Sequence, residues 1–107
     1  MESTYAASMQ NELVNAQVAL AEGNEGKARV SARRAVQIIT QAKIGISLGY
    51  DFSAMSALQF IGETQNFPED VRRAAARLQG GLRAKIEGYV FSENPIEDAE
   101  IIIRYFG

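Results

Sequence analysis

Apolar residues near the start of the chain recur at Tyr5, Met9, Leu13, Ala16 and Leu20, in steps of four, four, three and four. That spacing keeps one face of an α-helix apolar and predicts a first helix from about Ser3 to Glu22. Gly23-Asn24 stops it, and Asn24 can cap a second helix with Glu25 at its positive end. In that second helix, about Glu25 to Ile44, the residues Ala28, Ala32, Ala35, Val36, Ile39 and Ala42 share one side. Its alanines allow a neighbouring helix to come close. A two-residue turn between two long helices implies an antiparallel hairpin.

Gly45 and Gly49 close this section. Asp51 or Ser53 then starts a short helix over roughly 53–63, with Met55, Leu58 and Ile61 inward. Pro68 sits where a first helical turn accepts proline, followed by Glu69 and Asp70. Val71, Ala75, Leu78, Leu82 and Ile86 stay in register after it, straight through Gly80-Gly81. The unbroken stripe predicts one helix to about Glu87, bent at the glycines; a break there is the alternative. Asn94-Pro95-Ile96-Glu97 combines a cap residue, a first-position proline and a third-position glutamate, and predicts a last helix over 95–106. The β-branched run Ile101-Ile102-Ile103 competes for a strand there, but the cap favours helix. The expected fold is one all-α domain over 1–107. Its architecture is an antiparallel up-and-down bundle of four long helices plus one short helix.

Composition narrows the chemistry more than the fold. The 107 residues suffice for one domain with a real core. The chain has no cysteine and no histidine. Disulfides, thiolate catalysis, cysteine- or histidine-ligated metals and a Ser-His-Asp triad are therefore excluded. No cofactor is expected. Met1-Glu2-Ser3-Thr4 is not followed by a basic segment and an apolar run, and no stretch is apolar enough to span a membrane. A cytoplasmic location is the expectation.

The net charge is only −2, yet the charges are partitioned. Ten of the eleven basic residues lie in two acid-free blocks, Lys27 to Lys43 and Arg72 to Lys85. Arg29 and Arg33 are one turn apart, as are Arg73 and Arg77. A basic surface shared by the second and fourth helices could hold phosphates or RNA through these four arginines. The competing reading is two solvated faces beside acidic neighbours. Neither block is interleaved with aromatics, which argues against stacking on single-stranded bases. The carboxylate pairs, Glu69-Asp70 and Glu97-Asp98 with Glu100, sit in predicted first turns, where acids suit the helix dipole. An enzyme using carboxylates and arginine is the weakest reading.

The C-terminal part has more apolar residues than one surface helix needs. Ile96, Ala99, Ile102, Ile103 and Phe106 form one side, with Ile101 and Tyr105 roughly opposite. Tyr89 and Phe91 precede them. Tyr89, Phe91, Ile101 and Tyr105 are thus candidate interface residues, most simply for a homodimer. A helix enclosed within its own bundle would also account for them.

The stretch G-N-x-G-K-A-R-x-x-A-R-R-A-V at 23–36, with the order of long hairpin, short helix, proline-started helix and final helix, resembles HEPN-type domains. These are small prokaryotic helical bundles often paired with minimal nucleotidyltransferases. Active members of that family are metal-independent ribonucleases that carry an arginine followed a few residues later by a histidine. Arg72, Arg73 and Arg77 stand at the start of a late helix, but the histidine is missing. The resemblance therefore implies a non-catalytic member. Such a member would bind a protein partner, of the nucleotidyltransferase or toxin–antitoxin kind, or nucleotides or RNA.

Overall fold

The computed structural model describes residues 4–44, 53–80 and 94–107. Within them the chain is all-α: α1 (Thr4–Ala21), α2 (Glu25–Ile44), α3 (Ala54–Glu63), α4 (Glu69–Gln79) and α5 (Pro95–Phe106). No strand occurs among the described residues, and Ile101-Ile102-Ile103 is helical.

The turn between α1 and α2 is built by backbone geometry. Gly23 adopts φ 81°. Its N–H donates to the Leu20 carbonyl at 3.0 Å, and Asn24 N–H donates to the Ala19 carbonyl at 2.8 Å. This paired closure uses carbonyls that a helix end leaves open, and it needs a left-handed residue. Asn24 then caps α2, its Oδ1 accepting from Lys27 N–H at 3.1 Å. Ser53 caps α3 in the same way, and Asn94 Oδ1 accepts from Glu97 N–H at the start of α5.

The core lies between α2, α3, α4 and α5. Val36, Leu58, Ile61, Leu78 and Ile102 are fully buried, joined by Leu13 from α1. The alanines of α2 (Ala28, Ala32, Ala35) are buried as expected and let α1 and α5 pack closely on either side of it. α1 is the outlying helix, held chiefly by α2.

Four expectations are corrected. α4 does not run through the glycines: it ends at Gln79, and Gly80 turns the backbone to φ 62°, ψ −157°. That region is essentially closed to residues with a Cβ. The stripe that predicted continuity counted Leu82 and Ile86, which lie outside the described residues, as does Glu87. Tyr5 is exposed rather than inward. It sits at the open end of the α1–α2 hairpin, where the Lys43 ammonium lies 5.9 Å from its ring centroid. Ala42 is exposed at that same end. Met55, in the first turn of α3, is exposed beside Val30 of α2.

Candidate functional site

The four candidate arginines divide into two places. Arg29 and Arg33 lie together on α2, close enough that Arg29 disfavours the charge on Arg33. Arg33 is partly buried; burial first, and the Arg29 charge second, lower its pKa. Its Nε–H donates to the Leu78 carbonyl at 2.7 Å, across 45 residues of sequence. Leu78 is in the last turn of α4, so Arg33 places both a donor and a positive charge at that helix's negative end.

Arg73 and Arg77 face α5 instead. Arg73 pairs with Glu69 one turn earlier on α4. Arg77 grips Asp98, which is almost completely buried: Nη2 donates to Oδ1 at 2.7 Å, while Nε lies 3.0 Å from Oδ1 and 3.2 Å from Oδ2. The hydrogen bond to Asp98, partly offset by burial, raises the Arg77 pKa. Arg77 therefore ties α4 to α5.

A cleft of about 390 Å³ opens between α2 and α3, lined by Val30, Arg33, Arg34, Gln37, Ser53, Ala54 and Met55. None of these lining residues is acidic. A second hollow, about 310 Å³, is lined by Glu69, Asp70, Arg73, Arg77 and Ile101, and its charges neutralise one another. Three of the candidate carboxylates have structural roles: Glu69 and Asp98 hold arginines, and Asp70 Oδ1 accepts from Val71 N–H at 2.9 Å. Among the described residues no group of three or more acids could hold a metal ion.

Of the candidate interface residues, Tyr89 and Phe91 lie outside the described residues. Ile101 is half-buried against the core. Tyr105 packs edge-on against Phe67 at 5.5 Å and Phe106 at 5.5 Å, within a cluster that also takes in Phe60. It nevertheless remains 46% exposed. Apolar side chains are also exposed on α1. Val14 and Val18, one turn apart, are 44% and 50% exposed. The inward stripe already accounts for α1 as a helix, so these two valines carried no weight in the sequence; their spacing was the available signal.

No protein-family model, curated protein or solved structure matches this chain. No described helix is long and apolar enough to cross a membrane.

Proposed function

We propose that the chain is a non-catalytic, HEPN-like interaction domain that works as a homodimer. The observation that supports this is the outer face of α1, where Val14 and Val18 stand exposed on the side away from the described helices that pack against it. Exposed apolar side chains set side by side favour a partner surface over water. The absence of histidine and cysteine, with Glu69 and Asp98 tied to arginines, supports a non-catalytic role. Light scattering between about 10 and 200 µM tests the reading by mass action. A mass that rises toward twice 11.7 kDa is expected; a monomer throughout that range overturns it.

A second reading is favoured by the cleft beside Arg33 and Arg34, whose described lining residues include no acid: nucleotide or RNA binding on the α2 side. Arg73 and Arg77 contribute less to it, because each already holds a carboxylate. This reading expects single-stranded RNA to bind at about 50 mM salt and to be released by about 200 mM. Arg34→Ala is the informative variant, since Arg33→Ala would also uncap α4. RNA binding that Arg34→Ala leaves unchanged, or no binding at low salt, sets this reading aside.

A further inference from the structure

On α1 the residues Ala7, Asn11, Val14, Val18 and Ala21 follow one another in steps of four, three, four and three. This is the a/d spacing of a coiled-coil seam, with Asn11 and Val18 at a positions and Ala7, Val14 and Ala21 at d positions. All five are exposed. Leu13, Ala16 and Ala19, which pack inward, point the other way. The helix thus carries a covered apolar face and a second, largely apolar face that is exposed.

We propose that this seam pairs with the α1 of a second copy, in parallel and in register. The inference rests on the homodimer reading above and specifies its surface. Two features select a second copy. First, the positions flanking the seam are Ser8, Gln10, Asn15, Gln17 and Glu22. Flanking charges ordinarily choose the partner of such a helix; here only Glu22 is charged, so self-pairing sets no like charges face to face. In a parallel pair Gln10 meets Asn15 and Gln17 meets Glu22 of the other copy, and each pairing joins an amide donor to an oxygen acceptor. Second, Asn11 interrupts an otherwise apolar seam. In register it meets the Asn11 of the second copy, and the two amides satisfy each other. In an antiparallel pair each would face an apolar side chain. A lone asparagine at an a position is a recognised setter of register for this reason.

Alanine and valine at the seam allow the helices to approach closely. An 18-residue helix is about 27 Å long. A seam of that length covers less than the roughly 800 Å² per partner of a standard stable complex. Association is accordingly expected to be reversible and to depend on protein concentration.

The chain has no cysteine, so single cysteines report the geometry cleanly. Val14→Cys and Val18→Cys are oxidised with glutathione disulfide, separately and mixed, while light scattering follows the unaltered chain. Residues facing their own copies across a parallel seam come within the roughly 4.4–6.8 Å Cα separation a disulfide needs. Each variant alone is expected to form a covalent dimer. Cross-linking that appears only in the mixture overturns the parallel register. A dimer by scattering with no cross-link overturns the seam and leaves the homodimer reading standing. A monomer overturns both. Val14→Glu should weaken association at least tenfold without changing the far-ultraviolet helical signal; an unchanged association constant also overturns the seam.

Discussion

Single residues with special geometry carry the sharpest consequences. Gly80 occupies a conformation that alanine adopts only with strain. Gly80→Ala should therefore destabilise the fold by about 1–3 kcal/mol in urea unfolding. Had the helix been continuous, the same change would have stabilised it by several tenths of a kcal/mol. The sign of the measured change thus decides between the two backbones. Asp98 presents a similar case. It is buried and held by Arg77. Asp98→Ala strands the guanidinium, which is partly exposed and can recruit water, so a loss of about 2–3 kcal/mol is expected. The Arg77→Ala, Asp98→Ala pair should cost clearly less than the sum of the single changes, because the two side chains share one interaction. Additive losses would mean that they do not.

At the scale of elements, much of the fold was legible. The starts of α2 and α5 follow from Asn24 and Asn94, whose side chains cap as their sequence context implies. Helix ends with dedicated cap residues are local events, and local events can be read from neighbouring letters. The end of α4 was not legible, because apolar periodicity continued past Gly80 while the backbone did not. The role of the arginines was also hidden. Arg33 reaches a carbonyl 45 residues away and Arg77 a carboxylate 21 residues away. A block of basic residues looks the same in sequence whether it faces phosphate or its own fold. α1 shows a further limit. Its inward and outward stripes both fit helical spacing, and periodicity alone does not say which is covered.

For the whole molecule, the picture is of a core formed by α2 to α5 with α1 laid along its flank. Basic residues that looked like one surface are separated by what they hold: Arg33 serves the end of α4, while Arg73 and Arg77 serve the α4–α5 side. The apolar residues at the C-terminus are partly drawn inward, Tyr105 and Phe106 packing around Phe67. Among the described residues, the outside of α1 and the cleft beside Arg34 stand out for contact with other molecules. These surfaces separate the two functional readings experimentally, since Val14→Glu should affect self-association alone and Arg34→Ala only RNA binding.

The peripheral position of α1 also bears on how the molecule breathes. A helix held chiefly by one neighbour can detach with less disruption of the rest, so its amides open at a lower free energy than those of the enclosed core. Amide hydrogen exchange in α1 should then be faster than in α2, whose helix is enclosed by α1, α3 and α5. If a second copy clasps α1, its exchange slows as protein concentration rises while α2 stays unchanged. The helix on the flank of the monomer would become the one most sensitive to how much of the protein is present.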